Sequence, residues 1–429
     1  MSAPRESAKI TPYLSRAQDD ARSAIEAAWP EIVALAGEIF HDPEPPGAEV
    51  RTVDRLTDAL VTHGFTVEDK PAGLPTAFHA TYRHLDSEQM RKGLRHPHLG
   101  IIATYDADPR LGHTYGRQLR AAVAVGTAVA LAAAARVING SISVVGCPAD
   151  ADGDPMLEIA EHGFFEQFDA VLAARPAPVG LGAFFTTDSS GHTLAGRDGT
   201  LRFSAHEPAA VAQLTSAVDE YLASLGSDAA LLLEEAAGST LRVSIRAPFA
   251  QQVHEISTWL LARADDVATA HGLTVHAELR RTVPEMLVSR VIIRRARTYA
   301  GSIRLRLDDP RKSPAGPPTA WGAVSQQTPT ADAWFPIGDV PVDWGTEQFA
   351  VLSNTPAAYE QARLTATAVA LAGVDLLADM SFRAIADNQL IIALGKRGIQ
   401  RSHRRWTGIH PVFPKNSPNG ETTAAAAPD

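Results

Sequence analysis

The groups able to do chemistry gather in two short stretches. Residues 100–118, GIIATYDADPRLGHTYGRQ, read as a strand, a turn and a helix start, and carry Tyr105, Asp106, Asp108, His113, Tyr115 and Arg117. Residues 146–154, GCPADADGD, close another strand and carry Cys147, Asp150, Asp152 and Asp154. Carboxylates and histidine hold cations or move protons. Arginine does neither: it is always protonated and has no lone pair to give, so Arg117 suits a bidentate clamp on a carboxylate rather than a metal site. The acidic run Asp150-Ala151-Asp152-Gly153-Asp154 keeps Mg²⁺ or Mn²⁺ conceivable, although nearby arginines would repel such ions. Cys147 is a nucleophile candidate, but a free cysteine more often serves as a small buried apolar group, and no histidine partner is evident. His96 and His98 flank Pro97 in a polar loop and are expected to be solvated. Ser189-Ser190-Gly191-His192 lacks the strand-turn-helix context of a nucleophile elbow.

Elements must position these groups. The 429 residues, 45% apolar and 21% charged, are ordinary for a globular protein and exceed one typical core, so two domains are expected. Acidic and basic residues are interspersed at a net charge of -10, with no basic run to meet a nucleic acid. One cysteine excludes an internal disulfide and a cysteine-only zinc site. The polar N-terminal stretch lacks the apolar core of a signal peptide, and a cytoplasmic location is the default expectation. The apolar run from Ala121 to Ala135 is shorter than a bilayer span and bounded by Arg120 and Arg136, so no membrane contact is expected and a buried helix is.

Helical spacing runs from about Gln18 to Phe40, with Pro30 predicting a kink or break, and again from Val50 to His63. Strands are predicted at Thr76–Tyr82, Leu99–Thr104, Ser141–Cys147 and Ala170–Ala174, with helices at about Gln118–Val137 and Met156–His162 between the later ones. That alternation gives an α/β class: a mostly parallel sheet with helices on both faces. Near Gly199 the pattern changes to strand, helix, strand, helix, strand: Thr200–His206, Pro208–Leu225, Ser239–Ile245, Gln251–His271 and Leu273–Leu279. We therefore expect a discontinuous α/β domain, 1–198 and 291–400, an inserted smaller α+β domain, 199–290, and a disordered tail, 401–429. The α/β domain resumes near Val291 and closes with a helix over Tyr359–Asp379.

Ordered blocks along roughly Glu31–Asp387 resemble the amidohydrolase branch of the M20 zinc-peptidase family. Tyr105-Asp106-Ala107-Asp108-Pro109 and Gly112-His113 are similar to its YDALP and GHxCGHN segments. His41-Asp42-Pro43-Glu44 resembles HxHPE, and Gly73-Leu74-Pro75-Thr76-Ala77-Phe78 resembles the GLPTAF of the aminobenzoyl-glutamate-hydrolase-like subgroup. Gly146-Cys147-Pro148-Ala149-Asp150-Ala151 resembles GTPAEE, Gly322-Ala323-Val324-Ser325-Gln326 resembles GNVSQ, and Asn354-Thr355-Pro356 resembles HTPEF. Arg246-Ala247-Pro248 resembles the RAPT segment of the inserted lid.

The resemblance implies two metal ions and a general-base glutamate at the C-terminal ends of the strands. This chain departs from that set at nearly every matched position. The loop Cys and His fall on Tyr115 and Arg117, the catalytic glutamate on Asp150 and the adjacent metal glutamate on Ala151. The histidine ending the next strand falls on Arg175, and the last metal histidine on Asn354. Asp106 survives. His206 lies about where the lid carries a histidine, but the spacing is not kept and a strand-end surface role is expected.

Three functions stay open. The first is a repurposed, metal-independent enzyme with no cofactor, acting on a small carboxylate- or amide-bearing molecule. Asp150, Tyr115 and Asp106 would serve catalysis, and Arg117, Arg175, His113 and Asn354 would bind substrate. The second is a catalytically inactive relative serving as a ligand-binding or partner subunit, in which the arginines pair with Asp106, Asp150 or Asp152; a homodimer through the lid is implied by the resemblance alone. The third is a rearranged metallohydrolase built on Asp106, His113, Asp150, Asp152 and Asp154.

Overall fold

The computed structural model describes residues 4–68, 70–85, 96–150, 153–178, 193–226, 228–236, 238–305 and 318–401, with side chains from residue 13. The first sheet contains β1 (Thr66–Val67), β2 (Phe78–His84), β3 (His98–Thr104), β4 (Gly140–Cys147), β5 (Ala170–Ala177) and β10 (Thr330–Pro336), in the order β1-β2-β4-β3-β5-β10. β4, β3, β5 and β10 run parallel, and β2 and β1 continue the sheet antiparallel. The parallel strands are buried along almost their whole length, so they read as apolar runs rather than alternations.

Helix Arg117–Ile138 lies against this sheet. It is long and apolar enough to cross a membrane, but 78% of its most apolar stretch is buried inside the molecule, as a core helix requires. Gly126 lets its neighbours close in: a Cβ there would stand 3.0 Å from the Trp29 ring, 3.3 Å from Ile25 and 3.5 Å from Ala366. Helices Pro4–His41 and Pro356–Ala378 thus pack directly on its outer side.

Several expectations are corrected here. Pro30 does not break the first helix, which runs unbroken from Pro4 to His41. Pro30 is exposed, while Ile25, Trp29, Ile32 and Ile39 are buried in the core, and that packing outweighs one lost backbone bond. His98 is not solvated. It opens β3, its ring lies 4.8 Å edge-on to Phe168, and its Nε2 is 2.8 Å from Ser143 Oγ. His96 is half-buried, 2.8 Å from Ser141 Oγ. Helices Arg290–Ser302 and Met380–Gly395 and strand β10 were not foreseen from sequence.

The second sheet is built from β6 (Ala195–Phe203), β7 (Ala230–Glu235), β8 (Thr240–Ala247) and β9 (Val275–Leu279), in the order β7-β8-β6-β9 and antiparallel throughout. Helices Pro208–Leu225 and Ala250–Ala270 share a separate core with it, through Leu201, Val243, Ile245, Leu214, Val253 and Leu260. β7, with the sequence ALLLEE, went unread because its residues suit a helix; pairing with β8 overrides that preference. Ser189–His192, Ala151, Asp152 and the tail from Ser402 lie outside the described residues.

Candidate active site

The C-terminal ends of β3, β4, β5 and β10 converge, as parallel register requires: Thr104 stands beside Cys147, and Arg175 beside Trp334. The β4 loop is held in a strained shape. Ala149 has φ 48°, in the left-handed region. Its amide donates to Glu49 Oε1 (2.7 Å), and the next amide, of Asp150, donates to Asp106 Oδ1 (3.0 Å). Two buried carboxylates thereby fix the loop that presents Asp150.

Both oxygens of Asp150 are engaged. Its Oδ2 accepts from Arg120 Nη1 (2.6 Å) and Arg117 Nε (3.1 Å), and its Oδ1 from Trp321 Nε1 (3.0 Å). Arg117 Nε also lies 3.3 Å from Asp106 Oδ1, and Arg120 Nη1 donates to Thr104 Oγ1 (3.1 Å). Arg175 forms its own pair, Nη2 to Asp332 Oδ2 at 2.5 Å, with Trp334 Nε1 donating to the same oxygen at 2.9 Å. Its guanidinium carbon stands 5.0 Å from the Trp321 ring and 5.3 Å from the Trp334 ring. Its buried Nε and Nη2 make no hydrogen bond, so Arg175 and Asp332 meet as an ion pair. Three arginines thus face three aspartates, and the nearly buried network is balanced in charge.

The electrostatics follow. Burial by itself would raise the Asp150 carboxyl, but Arg120, Arg117 and the Trp321 hydrogen bond outweigh it and hold the group far below the usual carboxylate range. Burial lowers Arg120 to about 10 against the attraction of Asp150, so it remains charged at neutral pH. Burial also opposes charge at Arg117, yet Asp150 and Asp106 leave its pKa raised. Cys147 is fully buried and its thiol is pushed well up, chiefly by that burial, so it is no thiolate nucleophile.

The other candidates stand apart. Tyr115 is 39% exposed at the rim, its ring 5.0 Å from the Arg117 guanidinium and its hydroxyl beside Gly345. Asn354 follows helix Glu347–Ser353, and its Oδ1 accepts from Tyr359 Oη at 2.5 Å. His113 is buried; its Nε2 donates to Ile39 O (3.0 Å) and its ring stacks on Phe40. His206 is exposed. The structure therefore brings Asp106, Arg117 and Asp150 together, sets Arg175 beyond Trp321, and gives His113 and Asn354 other partners. Arg120, Trp321, Asp332 and Trp334 were missed from sequence. Arg120 offered a signal, one helical turn after Arg117 on the same side; Asp332 and Trp334 offered only strand alternation.

Burial, opposed by the Ile39 hydrogen bond and helped by Arg117, lowers His113 to about 4. The folded state thus disfavours its charged form. The His113 contribution is intact above about pH 6.5 and is lost as pH falls from there toward 4, because the unfolded chain takes up the proton first. Urea unfolding at pH 7.5 and 4.5 should show the wild type losing about 2–3 kcal/mol more than His113→Gln.

Among the described residues, the side chains that the resemblance sets at metal-ligand positions do not suit a dinuclear centre. They are Tyr115, Arg117, Arg175 and Asn354, and Asp150 beside them is capped by two guanidiniums. Among the described residues no group of three or more His, Cys, Asp or Glu side chains could hold a metal ion.

A dinuclear-metal-binding M20 peptidase from Bacillus subtilis has the same architecture, with a TM-score of 0.60 over 82% of this chain and 99% of its own, at 14% identity. The fold is that of the M20 peptidases. Sequence likeness is more local. The mouse Xaa-Arg dipeptidase is 32% identical over 169 residues, 37% of this chain and 37% of its own length. A p-aminobenzoyl-glutamate hydrolase chain of Escherichia coli is 26% identical over 172 residues, 36% of this chain and 34% of its own. The match thus spans little more than a third of either curated relative, and both are named as amide-bond hydrolases, in keeping with the amidohydrolase branch. No family model matches the chain.

Proposed function

We propose that this M20-like chain is a non-hydrolysing relative of the amidohydrolases. In this reading an internal ion-pair network takes the place of the dinuclear centre, and the cleft binds a small carboxylate- or amide-bearing molecule. The observation that carries it is the engagement of both oxygens of buried Asp150 by Arg117, Arg120 and Trp321. A general base needs an accessible lone pair and a pKa near the working pH; Asp150 is buried against two guanidiniums and an indole, and its pKa is driven the other way. The unpartnered Nε of Arg175, between two tryptophans, supports a ligand-facing role for that side. One observation favours acid-base catalysis without metal instead: Tyr115 is exposed at the rim beside Arg117.

Protein purified without chelator should carry no stoichiometric metal, and neither Zn²⁺, Mn²⁺ nor chelator should shift its thermal midpoint. A bound metal at a hundred times its Kd would stabilise by about 2.7 kcal/mol, an effect easily seen. N-acyl amino acids should raise the midpoint without being cleaved, and Arg175→Ala should abolish that rise. Metal-dependent release of the free amino acid would overturn the reading.

A further inference from the structure

The strongest unused feature lies away from this site, at the second crossover between the two sheets. Glu285 sits on the connection from β9 to helix Arg290–Ser302, with its side chain only 2% exposed. Its Oε2 accepts from the backbone amide of Ala250, the first residue of the inserted domain's second helix, at 3.0 Å. Its Oε1 accepts from Arg397 Nε at 2.5 Å. Arg397 comes from the short segment after helix Met380–Gly395. It also donates from Nη1 to Ala393 O (2.7 Å), and its guanidinium carbon lies 5.1 Å from the Phe249 ring.

The same helix grips the crossover elsewhere. Leu390 and Leu394 pack on Leu287, and Gln389 Oε1 accepts from the amide of Val291 (3.3 Å). The α/β side holds it through Ser325 Oγ to the Leu287 amide (2.8 Å) and Gln326 Nε2 to Glu285 O (3.3 Å). Those contacts fix the crossover to the α/β body. Glu285 and Arg397, through Ala250 and Phe249, carry the grip across to the inserted domain's second helix, beside the Gly196–Val283 backbone bridge and the exposed pairs Arg280–Asp154 and Arg281–Glu161.

We infer that residues 380–401 form a strap that sets the angle of the inserted domain, with the Glu285–Arg397 pair as its release point. This does not rest on the proposed function. A carboxylate this buried is stable as an ion only while partnered. Withdrawal of Arg397 therefore favours movement of Glu285 toward water, which takes the Ala250 cap and the inserted domain with it.

The test is hydrogen exchange on the full chain, comparing wild type, Arg397→Ala, Glu285→Gln and the double variant. Segments 249–256 and 280–289 should exchange at least tenfold faster in each single variant, while helix Arg117–Ile138 is unchanged. The double variant should be no faster than the worse single. Rates in both segments within twofold of wild type would overturn the strap. Should Arg397→Ala loosen the whole molecule, Arg397→Lys decides. Faster exchange confined to the two segments supports the release point, and acceleration spread through helix Arg117–Ile138 rejects it.

Discussion

Arg120→Ala is expected to destabilise the protein by about 3 kcal/mol, the lower end for breaking a buried ion pair. Arg120 provides the shortest contact to Asp150, 2.6 Å, from a side chain 6% exposed. Its loss leaves a nearly buried carboxylate with Arg117 and Trp321 alone. Asp150→Asn should partly rescue it, since the uncompensated charge disappears; a coupling of at least about 1 kcal/mol in the double-mutant cycle is expected. Urea unfolding measures all three variants, and strict additivity would contradict the network. The pH dependence has a definite sign. A carboxyl whose folded pKa is depressed contributes stability above its unfolded value, near 4, and loses that contribution as pH falls through the folded value. In the wild type this loss is displaced to strong acid. In Arg120→Ala the carboxyl rises, so acid sensitivity should move up toward the ordinary carboxylate range.

Trp321→Ala should cost about 3–5 kcal/mol, as for other large aromatic truncations in cores. Trp321 is 1% exposed and joins the two halves of the site. Its Nε1 bonds Asp150, its ring faces Arg175, and its body packs with Met156, Met286 and Val324. Trp321→Phe separates these roles: it keeps most of the packing and loses the bond to a charged acceptor, about 1.5–3 kcal/mol. The unfolding midpoint in urea should order the proteins as wild type, Phe, Ala, with the slope unchanged. Equal loss from both variants would mean that the hydrogen bond, not the ring, dominates.

The two arginines that the resemblance sets at metal-ligand positions have different fates in the structure. Arg117 joins Asp106 and Asp150, whereas Arg175 is claimed by Asp332, a residue with no matched motif in the sequence. The network closes because Arg120, on the turn after Arg117, points to the same strand ends. In three dimensions the aspartates and arginines at these strand ends pair their charges.

By itself the sequence determined the elements whose signals are local. Helix Pro208–Leu225 has its predicted limits, and the apolar stretch after Arg120 is the buried helix it suggested. Ordered motif blocks along the chain determined the M20 architecture. Tertiary structure decided the rest. The ALLLEE strand, the unbroken helix through Pro30 and the partners of Asp150, Arg175 and His98 all depend on what lies across the sheet or the core. Local propensity differs by fractions of a kcal/mol per residue, whereas burying a charge or an aromatic ring involves several. Parallel register brings Thr104 and Cys147, or Arg175 and Trp334, side by side from distant parts of the chain. That juxtaposition leaves no trace in sequence spacing, so which aspartate meets which arginine was settled only when the strands aligned.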